Sequence, residues 1–263
     1  MRLALGTETQ EKFVKAMEKT DVPADATAAI MTSGNESFVF KRVPRPFYDL
    51  SLRLAVEFAG SHRLRMHIDC DQEEGILVYP YFRGILLALI QEDPDFPLAE
   101  RKKILRCAGE AIQELHSKDW IHIEGNKIVT DTALGDFDIA FKLEGGKPRQ
   151  TPYAIGNAMW RSPEGQTRRG VTKASDMFSF GPVVIPEGLL KQVNSEDWSN
   201  ALKGASEIAE EAVKEQPELR FERWGEELGP EAQNMISGMT NLDPTARTMI
   251  DQVLTHRWWQ EAT

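Results

Sequence analysis

The chain has 263 residues, of which 41% are hydrophobic and 27% charged, with a formal net charge of −10. That size can bury a core without disulfide staples, and the acidic balance excludes broad, nonspecific attachment to nucleic acid or to an acidic membrane. Cys70 and Cys107 have no metal-type spacing and suit a reducing compartment, with free thiols in the core. The opening "MRLALGTETQEKF" holds no apolar run of signal-peptide length. "GILLALI" at 84–90 is far too short to cross a bilayer. The expectation is a soluble intracellular protein, cytoplasmic or nuclear, with no nucleic-acid or membrane partner. The basic groups Arg101–Lys103 and Arg168–Arg169 read as solvated faces.

In chain order, residues 1–35 are polar, with short helices expected near 9–19 and 23–31. "ESFVFKRV" at 36–43 reads as a strand ended by Pro44 and Pro46. "LSLRLAVEFAG" at 50–60 carries two patterns. Leu50, Leu54 and Phe58 fall four apart as on a helix, while Leu52 and Val56 complete a strand-like alternation. Its Leu, Ala, Arg and Glu content favours the helix. "HRLRMHIDC" and "GILVYPYF" read as paired strands around the acidic turn Asp71–Glu74. Composition then shifts. "DPDFPLAERKKILRCAGEAIQELHSK" puts Ile104, Leu105, Ala108, Ile112 and Leu115 on one stripe, an amphipathic helix opened near Pro97. "KIVTD" and "LGDFDIAF" look like short strands, and the pattern beyond residue 186 is mostly helical, with Ile250, Val253, Leu254 and Trp258 on one face. A small β-rich part, 1–83 (of which 1–35 is an extension), precedes a larger α-rich part, 84–263, with a hinge at 79–84.

Over roughly 36–259 this layout and its motifs resemble the eukaryotic protein kinase family. "GDFDIA" is similar to the metal-binding segment, which implies that Asp136 would hold Mg²⁺ on ATP phosphates. "WRSPEG" resembles the Ala-Pro-Glu motif, with Ser162 for the alanine and Glu164 for the glutamate. "ASDMFSFG" looks like the start of the central buried helix, with Asp176 bracing the catalytic loop. "LDPTARTMIDQVLTHRWW" is similar to the last helix, where Arg247 would pair with Glu164, a buried carboxylate that needs the bidentate fork of arginine. "FVFKRV" resembles the strand whose lysine, here Lys41, would hold the α/β-phosphates, with Glu57 as its partner. "LVYPYFRG" resembles the stretch joining the lobes, with Tyr79 in the gatekeeper place and the backbone at 80–82, Tyr81 included, meeting adenine. His122 and Phe137 would stack in the apolar column between the lobes. The resemblance implies an α+β, two-lobed kinase-like fold, with an incomplete β-rich N-lobe and a larger, mainly helical C-lobe.

The pattern also departs from the family. No glycine-rich loop can be drawn upstream of Lys41, where Gly34 is the nearby glycine. Aligning His122 with the His-Arg-Asp histidine puts Ile123 at the arginine and Glu124 at the catalytic aspartate. Val129 then stands where a metal-binding asparagine belongs, and Asn126 lies out of register. From Glu124 to Asp136 is 12 residues, roughly half a dozen fewer than the family pattern. Pro182 and Pro186 fall in the expected central helix, predicting a stop or kink near Gly181. Asp138 replaces the usual glycine, and Asn157 stands where Ser/Thr-directed kinases often carry threonine; Thr151 and Tyr153 are conceivable phosphorylation points. The expected function is a kinase-shaped module, weak or inactive in catalysis, that binds a protein partner. The alternative is an active ATP- and Mg²⁺-dependent kinase acting on protein hydroxyls; a nonfunctional product is a third reading. Oligomeric state is unreadable.

Overall fold

The computed structural model describes residues 28–33, 36–82, 96–123, 133–156, 160–184 and 229–261. The chain divides into two compact units, Met1–Arg83 and Gly84–Thr263. The first is built on an antiparallel sheet with strand order β1-β2-β4-β3. Its strands are β1 (Ala28–Ser33), β2 (Glu36–Arg42), β3 (Asp69–Asp71) and β4 (Ile76–Pro80), and helix α1 is Arg45–Glu57.

Residues 28–31 correct the helix expected at 23–31: they belong to β1, which pairs with β2 from Ala28↔Lys41 to Ser33↔Glu36. The alanines suit a helix, but β2 offers an open ladder, and pairing overrides so weak a local preference. The dipeptide Gly34-Asn35 between the strands was the overlooked hairpin signal.

The ambiguous stretch at 50–60 is helical, and the helix starts earlier than expected, at Arg45. Pro44 and Pro46 therefore open a helix as well as following a strand, because a first-turn amide needs no intrahelical partner. Tyr48, Leu54 and Phe58 are buried while Val56 is 80% exposed, which decides for the helical stripe over the alternation.

The sheet buries both faces with a period of two. Phe38, Phe40, Ile76 and Val78 form one cluster. Leu77, with Val43 and Tyr48, forms another, flanked by Leu52, Cys70 and Tyr79. Burial first, and then the Cys70 thiol, push the Tyr48 hydroxyl above its ordinary titration range. Cys70 and Cys107 are free, as expected, and half-buried, with Cys70 at the edge of a core cluster. The expected strand at 62–70 shortens to Asp69–Asp71. Upstream of it Ser61 Oγ accepts the amides of Arg63 and Leu64 at 3.2 and 3.1 Å, making a turn instead. The acidic turn is held by Asp71 Oδ1, which accepts the amides of Glu73 and Glu74 at 2.9 and 3.1 Å.

The second unit is mainly helical. It contains α2 (Leu98–Ser117), α3 (Pro163–Thr167), α4 (Lys173–Val184), α5 (Pro230–Met239) and α6 (Ile250–Leu254), with a final 3₁₀ turn at Arg257–Gln260. Two short strands, β5 (Trp120–Ile121) and β6 (Phe141–Lys142), pair antiparallel. Leu105, Ala108, Ile112 and Leu115 of α2 are buried, while Ile104 is half-buried. Buried Lys102 gives its ammonium to the carbonyls of Trp258 and Glu261 at 2.6 and 3.2 Å, tying α2 to the chain's last turn. The stretch 134–141 is no strand beyond Phe141; a turn closed by Ala140 N to Phe137 O at 3.1 Å interrupts it.

Of the stop or kink expected near Gly181, helix α4 excludes the stop, since it runs on to Val184 with Pro182 inside. A proline removes one amide bond, and the buried side chains of Met177, Phe178 and Phe180 hold the preceding turns. Gly181 is a packing residue instead. A Cβ there would lie 2.6 Å from Thr240 Cγ2 and 3.3 Å from Met239 Cβ, so its absence lets α4 and the end of α5 approach. The expected helix at 9–19, "KIVTD", residues 84–90, Asn157 and Pro186 lie outside the described residues. Among the described residues no helix is long and apolar enough to cross a membrane.

Leu115 is completely buried in α2. Leu115→Ala is expected to lose about 2–5 kcal/mol in urea melts, and Val56→Ala to stay within about 0.5 kcal/mol of the parent. An equal loss at Val56 would contradict the helical face assigned to α1.

Candidate functional site

The centre of the second unit is a buried carboxylate. Asp176, in the first turn of α4, is 3% exposed. It accepts the His122 amide at 2.9 and 3.1 Å, the Ile123 amide at 2.7 Å, and His116 Nε2 at 2.9 Å. Ionised groups at such depth persist only with this kind of hydrogen-bond satisfaction. The brace also holds an unusual backbone: Ile123 has φ +63°, a region that a β-branched residue enters only when its surroundings impose it.

His122 carries the order onward. Its Nε2 lies 2.9 Å from the Gly135 carbonyl, so Nε2 bears the proton, because a carbonyl can only accept. Its ring meets Phe137 edge-on, with centroids 5.3 Å apart at 89°. Asp136, between Gly135 and Phe137, is half-buried and also has a positive φ, +63°. Asp138 is not among the positive-φ residues, so the replacement of glycine there imposes no left-handed strain in this conformation.

A second buried ionic cluster lies on the same turn of α4. Arg247 Nη1 donates to Glu164 Oε1 at 2.7 Å and Nη2 to Oε2 at 3.0 Å. Ser175 Oγ donates to Glu164 Oε1 at 2.7 Å, and Arg247 also reaches the carbonyls of Ala174 and Asn241 at 2.7 and 2.8 Å. Glu164 lies in the first turn of α3, where Ser162 caps the helix by accepting Gly165 N at 3.2 Å and Pro163 is the first residue. Burial would raise the Glu164 pKa, but the Arg247 fork and Ser175 hydroxyl together hold it below its ordinary value. At the surface, Lys173 binds Asp119 at 2.6 Å and lowers that carboxyl.

The first unit holds the residues expected at nucleotide. Lys41 pairs in register with Leu77, and Val39 with Tyr79, so Lys41 shares the sheet face covered by α1, whose last residue is Glu57. Tyr79 is half-buried, with His67 edge-on at 6.2 Å. Tyr81 is exposed, and its amide donates to Ser37 O at 3.0 Å. Glu124 and Asn126 lie outside the described residues. The structure thus brings together Glu164 with Arg247, Asp176 with the 122–123 backbone, and His122 with Phe137. Sequence reading missed His116, Ser175 and Lys173. The signal for His116 was present: a histidine following Leu115 on the buried stripe of α2.

As to cofactor fit, among the described residues no group of three or more His, Cys, Asp or Glu could hold a metal ion. In this family an aspartate and an asparagine hold the metal; Asp136 would be the first, and Asn126, expected as the second, lies outside the described residues, so no chemical step is derived through that metal.

The protein kinase domain family model matches residues 64–259. The chain is 32% identical over 127 residues to the L-type lectin-domain containing receptor kinase S.1 of Arabidopsis thaliana, covering 43% of this chain and 19% of that protein. It is 23% identical over 216 residues to the probable serine/threonine-protein kinase pXi of Dictyostelium discoideum, covering 74% and 27%. With the serine/threonine-protein kinase PknA of Corynebacterium glutamicum it shares 28% over 114 residues, covering 41% and 24%. The chain spans only about a fifth to a quarter of the length of these curated relatives. A sheet-built first unit, a helical second unit and a family match over most of the chain make the class plain: this is a mixed α+β kinase domain. The chain belongs to the protein kinase family.

Glu164→Ala and Arg247→Ala are each expected to lose about 3–5 kcal/mol, because each strands a buried charge, and the double variant well under the sum. Additive losses would mean that the two groups do not act as a pair. Glu164 also sets an acid limit. Its folded pKa lies below the ordinary 4.5, so its contribution is complete above that value and disappears as pH falls through the depressed one. Melting temperature followed from neutral to acid pH should fall more steeply for the parent than for Glu164→Gln.

Proposed function

We propose that this domain is a pseudokinase: a kinase-shaped module, catalytically weak or inactive, that acts by binding a protein partner. Residues 1–83 serve as its N-lobe and 84–263 as its C-lobe. It works inside the cell, in cytoplasm or nucleus, without nucleic-acid or membrane contact.

The observation that carries this reading is the length of chain between two fixed points. Ile123 is fastened to Asp176 at 2.7 Å, and Gly135 to His122 at 2.9 Å. In a working kinase the stretch between them supplies a proton acceptor and a metal-binding asparagine. Here Glu124 and Asp136 are 12 apart, roughly half a dozen residues short of the family pattern. Phosphoryl transfer of this type depends on positioning more than on covalent chemistry, so a missing piece of main chain weighs more than a substituted side chain. Glu124 can accept a proton, but its extra methylene displaces the carboxylate by about 1 Å, and misplacement on that scale can lose ~10²-fold in rate.

A second reading, an active Ser/Thr-type kinase using ATP and Mg²⁺, draws on the serine/threonine kinases among the relatives and on the contact of His122 with Phe137 beside Asp136. In that reading Lys41 and Glu57 serve the phosphates, Tyr79 and Tyr81 border adenine, Asp136 (with Asn126) holds the metal and Glu124 is the base.

Mg-ATP is expected to leave the melting temperature unchanged within error, and radiolabelled ATP to transfer no phosphate to a generic protein substrate. A large metal-dependent shift, or transfer that Asp136→Ala abolishes, would establish the active reading instead.

A further inference from the structure

The strand end at Tyr79–Phe82 carries a contact that the proposed function does not use. Strand β3 stops pairing with β4 at Asp69↔Val78, so the carbonyl of Pro80 lies past the last rung of that ladder. Arg65 takes it with two donors, Nε at 3.1 Å and Nη2 at 2.5 Å. The guanidinium carbon sits 5.4 Å from the Tyr79 ring centroid and 4.8 Å from that of Phe82. Arg65 is also launched from a fastened backbone. Ser61 Oγ holds Leu64 N at 3.1 Å just before it, and Ile68 N binds Val78 O at 2.8 Å just after.

Three properties make guanidinium fit here: a flat shape, N–H donors along its edge, and attraction to aromatic faces. An aminopurine base has all three. A carbonyl beside two aromatic rings can therefore receive either group, but an oxygen already bonded to two N–H donors has no lone pair left for an incoming amine.

We propose that Arg65 is a built-in occupant of this strand end, filling the place where the amino edge of adenine would bind and so lowering the domain's affinity for adenine nucleotides whatever the metal. This deepens the proposed function and rests on the resemblance that makes 80–82 the adenine-facing stretch. It separates two causes of inactivity. Loss of catalytic backbone leaves binding of a phosphate-free nucleoside untouched; a guanidinium in the adenine place removes it.

The test is calorimetric titration of the full chain with adenosine, without Mg²⁺, for the parent and for Arg65→Met, which keeps the apolar stem and lacks N–H donors. Arg65→Met is expected to bind adenosine at least about tenfold more tightly, the worth of one hydrogen bond of ordinary strength. Equal affinities in two folded proteins would overturn the proposal. Tight adenosine binding by the parent without phosphate transfer would overturn it and leave the pseudokinase reading standing. Phosphate transfer by Arg65→Met alone would support the occupant and overturn the reading of an inactive chain. Should Arg65→Met not fold, the ¹⁵N spectrum of the parent decides. The Arg65 Nε–H signal is expected to stay in place as adenosine is added to millimolar concentration, and its displacement at micromolar concentration would overturn the proposal.

Discussion

One turn of helix carries the described part of the second unit. Ala174, Ser175 and Asp176 are consecutive, and each serves a different partner. The Ala174 carbonyl and Ser175 hydroxyl complete the Glu164–Arg247 cluster, while the Asp176 carboxylate gathers His116, His122 and Ile123. Burying two carboxylates, Glu164 and Asp176, against one helical turn costs several kcal/mol each unless their lone pairs find donors. Their donors come from α2, from the chain after β5 and from the loop before α6. The electrostatic requirement thus becomes a geometric one, because those segments cannot drift without leaving a buried charge unpaired.

The same turn accounts for the backbone at the candidate site. Ile123 does not favour φ +63° on its own account. Two adjacent amides converging on Asp176 hold it there, and the His122 ring then reaches Gly135 and Phe137. The order at Asp136 is inherited, through two hydrogen bonds and one ring contact, from a carboxylate on α4. None of these contacts performs chemistry. They fix where chemistry could be done.

Legibility in the sequence followed the strength of side-chain demand. Glu164 and Arg247 could be paired on paper because the resemblance to the kinase family implied it and a buried carboxylate suits a bidentate donor. Asp176 could be placed by motif, but His116 could not be assigned to it, because a histidine on an apolar stripe does not announce its acceptor. Residues 28–31 were misread because their composition suits a helix while their fate was set by the neighbouring β2. Gly181 was misread in the opposite direction: glycine followed by proline looks like punctuation, whereas the close approach of Thr240 explains the glycine as packing. Arg65 was invisible, since nothing local in "HRLRMHIDC" tells a solvated arginine from one that caps a carbonyl fifteen residues away.

Framework and catalysis also differ in how they tolerate lost chain. Between Ile123 and Gly135 lie eleven residues, which fully extended would reach roughly 36–40 Å, so closing the gap is no difficulty. A catalytic loop faces a harder condition than closure. A base, a metal-binding amide and a second carboxylate must each leave the backbone at a set place and direction, and misplacing one by about 1 Å can lose ~10²-fold in rate. Each group adds a condition that the intervening dihedrals must satisfy, and removing half a dozen residues removes roughly a dozen dihedrals. The buried clusters around α4 impose no such condition on 124–134, since their partners lie at 116, 122–123, 135 and beyond. A kinase fold can therefore lose the middle of this stretch and keep its core, which is why the fold's persistence is no argument for its activity.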